Sequence, residues 1–384
     1  MKTETFTLSQ RELQKVAVIS ECVRGRLACA RAAELLQLST RQVKRLKLRL
    51  RHGGEAAMAH ASRGRPSPRR LPAPVRRQIL ALARGKYAGF NDHHLCEKLC
   101  EQEGLSLSRE TLRRLLRSEG LGSPRKRRAP AHRQRRVRRA REGEMLQVDA
   151  SPHDWLQGRG PQLTLLGFQD DATNKVVGAE FFSAETAYGY FRVWRSVLRR
   201  YGVPLSLYGD RCGVFVRNDD HWTVEEELAG RQQPTQFGRA LAQLGVTFIP
   251  AQSPQAKGRI ERTWGVFQDR LVSELRAARA ADLCAANRVL RRFVPDYNRR
   301  FGRAAAHADK AWRAAPRELD RICCFIHERV VSNDNVVQWQ GRRLQIPPQP
   351  HRFSFAGAKV RLYQNLEGRV SIYYGTTRLQ HAGG

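Results

Sequence analysis

No uninterrupted apolar run in the 384 residues approaches the ~18 needed to cross a bilayer, so no membrane-spanning helix is expected. The opening stretch, MKTETFTLSQREL, lacks the apolar centre of a signal peptide, and a cytoplasmic location follows as the expectation. Cysteine pairs of the CxxC kind are missing. The eight cysteines are scattered, which argues against a disulfide framework or a zinc ribbon and for reduced core residues. Acid is also scarce: 36 Asp and Glu stand against 69 Lys and Arg, a formal net charge of +33. Solubility needs no such excess, so a polyanionic partner is implied. Nucleic acid fits better than a membrane surface, because no basic amphipathic or lipidated segment is found. Arginine dominates lysine, which suits bidentate phosphate contacts.

What is present changes character along the chain. Residues 1–52 read as a helix-turn-helix DNA-binding domain, with helices over 9–23, 28–36 and 40–50. Ser39 and Gln42 have the spacing of a capping box. The third helix carries Arg41, Lys44 and Arg45 outward, while Val43, Leu46 and Leu50 keep core spacing. Residues 53–72 are a Gly, Pro and Arg linker. A second helix-turn-helix domain is expected over 73–120, its last helix made basic by Arg109, Arg113, Arg114 and Arg117. His93, His94, Cys96 and Cys100 do not match a zinc spacing, and buried cysteines on one helix face are the better reading. The linker 121–142 follows; its residues 122–141 hold ten Lys and Arg, Arg125, Lys126, Arg127 and Arg128 among them, and no acid. Such a block tracks phosphates.

From 143 to 302 strands and helices mix: strands near 145–148, 163–168 and 175–182, a helix over 186–201, and a strand over 204–208. A polar insertion with Asp219, Asp220 and Glu225 to Glu227, the last three read as a solvated helix start, comes next. Then follow a helix over 235–244, a strand over 246–249 and a long helix over 255–279. This is a mixed α/β sheet. A helical connector is expected over 303–329. Residues 330–384 are short β-runs split by Asn-Asp-Asn, Gln-Gly and Glu-Gly turns, read as a small basic β-barrel.

Three acids stand out. Asp149 ends the first strand before Ala150, Ser151 and Pro152; Asp210 ends the fourth; Glu261 lies in the long helix four residues after Lys257. If the first and fourth strands are neighbours, these carboxylates can converge, and in a basic protein they would repel unless cations lay between them. Oxygen ligands point to Mg²⁺ or Mn²⁺, and two such ions about 4 Å apart serve phosphoryl transfer. Lys257 and Arg259 flank Glu261 as candidate phosphate contacts. Asp170 and Asp171 read as hairpin closers, Asp154 as a loop cap, and Trp155 and Trp264 as buried packing rather than base-stacking platforms.

Two helical modules followed by GEMLQVDASPHDW, LYGD and AQSPQAKGRIERTWGVFQDRL resemble bacterial insertion-sequence transposases of the DDE type, the ISNCY group, which are related to retroviral integrases. The resemblance covers nearly the whole chain, most specifically 143–302. It implies a ribonuclease H-like core with its catalytic, metal-holding carboxylates on Asp149, Asp210 and Glu261. It also implies N-terminal modules that bind terminal inverted repeats, and a dimer or larger assembly on double-stranded DNA at the nucleoid. The run Gly209-Asp210-Arg211-Cys212-Gly213 departs from the family's more frequent Ser-Asp-Lys-His-Ser. Two other readings stay open: a silent or regulatory DNA-binding derivative, and a related nuclease that cuts without joining.

Overall fold

The computed structural model describes residues 7–60, 62–63, 70–122, 136–217, 219, 221–251, 258–350 and 352–383. Arg125 to Arg128, Lys257 and Asp220 fall outside them. The chain divides into two compact units, Met1–Arg76 and Arg77–Gly384.

The first unit contains α1 (Gln10–Val23), α2 (Cys29–Leu36) and α3 (Thr40–Gly53). A full capping box forms at Ser9 and Glu12 of α1. At Ser39 only half of the expected box is made: Ser39 Oγ accepts from the Gln42 N–H at 3.2 Å. Gln37 takes a left-handed conformation (φ 52°) and ends α2, so that α3 turns away after two more residues. Val16, Ile19, Cys22, Ala32, Val43 and Leu46 close the core. Arg41, Lys44 and Arg45 are exposed on α3.

The boundary between the units falls within α4 (Ala73–Arg84), and the second unit continues with α5 (Asp92–Glu103) and α6 (Arg109–Ser118). Asn91 and Ser108 cap α5 and α6 with their side chains. Next come β1 (Met145–His153), β2 (Leu163–Asp170), β3 (Val176–Phe182), α7 (Ala187–Tyr201) and β4 (Ser206–Gly209). They are followed by α8 (Val224–Ala229), α9 (Gln236–Gln243), β5 (Thr247–Pro250), α10 (Ile260–Ala277) and α11 (Leu283–Phe301). The five strands lie in the order β3-β2-β1-β4-β5, the first three antiparallel and β4 and β5 parallel to β1. Alternation sorts the sides of the sheet. Leu146 and Val148 face a core with α7 and α9, and the opposite face meets a second core under α10 and α11, built on Ile260, Trp264, Phe267 and Leu290.

Several expectations are corrected here. The strand β1 does not stop at Asp149 but pairs with β2 as far as His153, whereas its pairing with β4 reaches only Gln147–Tyr208. Past that point β1 is an edge on the β4 side, the setting in which a strand tolerates Pro152. The long helix begins at Ile260 rather than 255. Helix α11 is an addition; Pro295 interrupts its sequence, yet Asp282 caps it and Leu290, Phe293 and Tyr297 keep helical spacing. Glu226 is buried, not solvated, because Thr223 N, Gln233 N and Arg217 all donate to it. Of the eight cysteines only Cys22, Cys323 and Cys324 are buried; Cys96 is half-buried and Cys100 exposed.

The expected helical connector is mostly irregular, with one short helix, α12 (Leu319–Ile322). Trp312 stacks on Tyr201 and fills the space over Gly143, which holds the segment against the sheet domain. Two small sheets follow. One has the order β11-β10-β9-β6, with β6 (Phe325–Val330), β9 (Lys359–Gln364), β10 (Val370–Tyr374) and β11 (Thr377–Leu379). The other is β12-β8-β7, with β7 (Val336–Trp339), β8 (Arg342–Gln345) and β12 (Ala382–Gly383). One core, including Val337, Trp339, Val360, Leu362 and Ile372, serves both sheets.

Candidate functional site

Gln147 opposite Tyr208 fixes the register of β1 and β4. In a parallel pair, side chains of opposed residues share a face, and Asp149 and Asp210 each follow two residues after this last pair. The strands part here. Gly209 lies close against Val148, where a Cβ would stand 2.8 Å from Val148 Cγ1. Asp149 is half-buried and Asp210 exposed. Gln147, Asp149 and Ser151 alternate onto the face covered by α10. Gln147 Oε1 accepts from the Ile260 N–H at 3.2 Å, and Gln268 Nε2 donates to Ser151 Oγ at 3.2 Å. The helix therefore runs alongside β1 with its first turn above the strand that bears Asp149.

Glycine sets how closely it lies. Gly167 is the cross-strand partner of Asp149, and a Cβ on it would meet Trp264 Cη2 at 2.5 Å. Trp264, one turn after Glu261, thus occupies the position over Gly167 that a side chain would otherwise fill. Both Trp264 and Trp155 are buried, in keeping with packing rather than base stacking. Glu261 sits in the first turn of α10, exposed, with no hydrogen bond or ion pair among the described residues. Two of the expected carboxylates thus each stand two residues past the last β1–β4 pair, and the third lies on the covering helix. Among the described residues no group of three or more His, Cys, Asp or Glu side chains stands close enough to hold a metal ion. That holds too for the His93, His94, Cys96 and Cys100 cluster. The oxygen chemistry of Asp149, Asp210 and Glu261 suits a hard divalent cation, and the first two lie where β1 and β4 part.

A second set of acids anchors the site. Asp171 is fully buried and takes Gln147 Nε2 at 2.7 Å, Arg136 Nη2 at 2.5 Å, the Arg139 N–H at 2.9 Å and the Arg259 guanidinium. Burial pushes its pKa up, but the Arg139 amide and the two guanidiniums outweigh that and hold it below the ordinary carboxylate value. Arg259, expected at phosphates, is thereby taken up by a buried carboxylate, with 11% of its side chain exposed. Asp170 closes the β2–β3 hairpin as expected, accepting from Gly143 N, Thr173 N and Thr173 Oγ1; burial nonetheless raises its pKa.

Sequence reasoning missed two residues. Gln147 stands in for the cap that Arg259 does not give α10, and its only signal was a polar residue inside MLQV. Glu185 Oε1 accepts from Tyr190 Oη at 2.8 Å and from Cys212 Sγ at 3.5 Å, tying α7 to the turn that follows Asp210. Burial first, then Glu185, Cys212 and Asp149, push the Tyr190 hydroxyl's pKa up, which puts these acids in one electrostatic neighbourhood. Nothing in the sequence marks Glu185.

Of the basic residues, Arg109 and Arg113 are exposed on α6, and Arg113 lies 3.5 Å from Glu110. Helix α5, by contrast, is bound to α10 and α11. His94 Nε2 shares a hydrogen bond with Glu274 at 2.8 Å, Arg270 donates to Glu97 at 2.7 Å, and Arg300 reaches Glu97 at 3.2 Å.

No family model matches the chain. Over 370 residues it is 36% identical to y4bF of Sinorhizobium fredii, a protein that carries a transposase name; the match spans 96% of this chain and 79% of that one. It is 30% identical over 369 residues to the transposase for insertion sequence IS1202 of Streptococcus pneumoniae, spanning 86% of this chain and 77% of the relative. Among solved structures, the HTLV-2 integrase catalytic core domain in complex with magnesium matches at 16% identity and a TM-score of 0.28, over 39% of this chain and 84% of that one. The simian T-cell lymphotropic virus intasome with PP2A regulatory subunit B56 gamma matches at 13% identity and a TM-score of 0.30, over 72% and 91%.

Proposed function

The chain belongs to the insertion-sequence transposase family, and on that premise we propose that it binds the terminal inverted repeats of its element, cuts a DNA strand there and joins the freed end to target DNA. The observation that carries this reading is the β1–β4 register: Asp149 and Asp210 each follow its last pair by two residues, where the strands part, under the helix whose first turn bears Glu261. These three are the catalytic carboxylates. Two Mg²⁺ or Mn²⁺ ions, held by Asp149 and Asp210 with Glu261 on one of them, would neutralise phosphate charge and activate the attacking oxygen. The chain's own contribution is placement. Asp149 is fixed by pairing on its β2 side, Trp264 seats α10 over Gly167, and the Asp171–Arg259–Gln147 network holds the helix start one residue before Glu261. A water cuts the strand first; the 3′-OH so released then attacks a target phosphodiester at the same site.

In this reading α1–α3 and α4–α6 are helix-turn-helix modules, with Arg41, Lys44, Arg45, Arg109 and Arg113 against the element ends. Arg125, Lys126, Arg127, Arg128 and Lys257 track phosphates, and residues 330–384 form a small β-barrel that adds a third nucleic-acid surface. Two ends must be joined together, so the working form is a dimer or larger. A strand-transfer assay on element-end oligonucleotides with added Mg²⁺ tests the proposal. Asp149→Asn should abolish cutting and joining while end-binding persists, and joining by that variant would sink it. That no three such side chains among the described residues stand close enough to hold a metal ion also fits a catalytically silent relative, which would bind ends and join nothing.

A further inference from the structure

We propose that α11 carries a separate, sequence-independent DNA surface, on which Arg288, Arg291 and Arg292 hold the phosphates of a target duplex. This rests on the transposase reading and extends it to a helix that reading does not use. The inner face of α11, with Ala286, Leu290, Phe293 and Tyr297, is buried against the sheet domain, and Asn287 bonds both the N–H and the carbonyl of Phe181. Arg288, Arg291 and Arg292 are exposed on the remaining surface. Their i, i+3, i+4 spacing groups them within little more than one turn and repeats that of Arg41, Lys44 and Arg45 on α3.

What sets the three apart is the lack of acid beside them. On α7, Arg192 pairs with Glu180, Arg195 with Asp320 and Glu367, and Arg199 with Asp320. At the far end of α11 itself, Arg299 and Arg300 pair with Asp296. Among the described residues no acid pairs with Arg288, Arg291 or Arg292; Arg288 reaches only Cys284 Sγ at 3.6 Å. Three like charges crowded on a rigid helix repel, and an external anion relieves that repulsion. Phosphate is the anion a planar guanidinium fits best. The two amide side chains of α11 are taken up, Asn287 by the backbone of Phe181 and Asn298 by that of Val176. No amide is left to read an adenine edge, and the backbone of any duplex is the ligand.

The test uses the full chain and a random-sequence DNA duplex, with affinity measured across a salt series. Each phosphate contact contributes about 0.9 to the slope of log K against log salt, so R288A/R291A/R292A should flatten the slope by about 2 to 3 and weaken binding at least tenfold at low salt. The triple lysine variant should keep most of the slope, and R192A/R195A/R199A should leave it unchanged. An unchanged slope in the α11 variant, with circular dichroism matching the parent, would overturn the proposal. So would tighter binding of an RNA duplex of equal length. Because binding alone is read, failure here leaves the strand-transfer test of Asp149 untouched, and failure there leaves this one standing.

Discussion

Four aspartates in one small sheet have opposite environments. Asp170 and Asp171 lie at the end of β2, buried, each with at least three donors around it. Asp149 and Asp210 lie where β1 and β4 separate, one half-buried and the other exposed. The first pair holds the chain together: Asp171 gathers Arg136, Arg139, Gln147 and Arg259 and so pins the start of α10. The second pair is left at an opening. A carboxylate sealed in the core among a full set of donors has little left to offer a ligand, whereas one at a strand parting can be reached by whatever enters. Burial, more than residue type, separates the structural acids from the candidate catalytic ones.

That contrast is broken most directly by exchanging one member of each pair for its amide. Asp149→Asn should lower strand transfer by about 10³-fold or more while the unfolding free energy shifts by less than about 0.5 kcal/mol. Asp171→Asn should do the reverse in kind. It leaves Arg259 buried beside a neutral group, and a loss of about 3 kcal/mol in denaturant unfolding is expected, with activity falling only as α10 loosens. If Asp149→Asn destabilised the chain as much as Asp171→Asn, the two pairs would be alike and the distinction would fail.

A smaller effect sharpens the geometry between them. Gly167→Ala places a methyl against the Trp264 ring and should cost about 1–3 kcal/mol by overpacking. Because that contact seats α10, strand transfer should fall with stability. A companion change, Trp264→Phe on the Gly167→Ala background, should recover part of both; no recovery would mean that Gly167 acts through something other than the helix above it.

Much of this was legible in the sequence and some was not, for physical reasons. The strands, the helix cap at Ser39 and the acids worth attention all follow from local spacing and turn chemistry. Partners do not. MLQVD announces a strand, but that Gln147 caps a helix 113 residues away depends on how the sheet is covered. Arg259 looks like a phosphate ligand beside Lys257 until Asp171 is found under it. The end of β1 was misread because Pro152 stops a strand only where both edges are paired, and β4 has already left. The two helical units read alike, yet α5 is bound to α10 and α11 by His94, Glu97 and Asn91, a difference that no periodicity carries.

The mildest expected effect extends the comparison to the first unit, where Glu12 is a structural acid without a catalytic counterpart. Its carboxylate accepts from the N–H and Oγ of Ser9, both at 2.8 Å, and from the His60 N–H at 2.8 Å, with Arg63 beside it. These donors, Ser9 foremost, lower its pKa from the ordinary 4.5 to about 2. A depressed carboxyl stabilises the folded form above the unfolded value and loses that contribution as pH falls toward the folded one. Amide exchange in α1–α3 should therefore be pH-insensitive above about 4.5 in its structural component and quicken between 4.5 and about 2. Glu12→Gln should remove that window and leave the strand-transfer rate of the intact protein near the parent's. A window that persists in Glu12→Gln would assign the acid sensitivity to another carboxylate and confine the structural role of paired acids to the sheet domain.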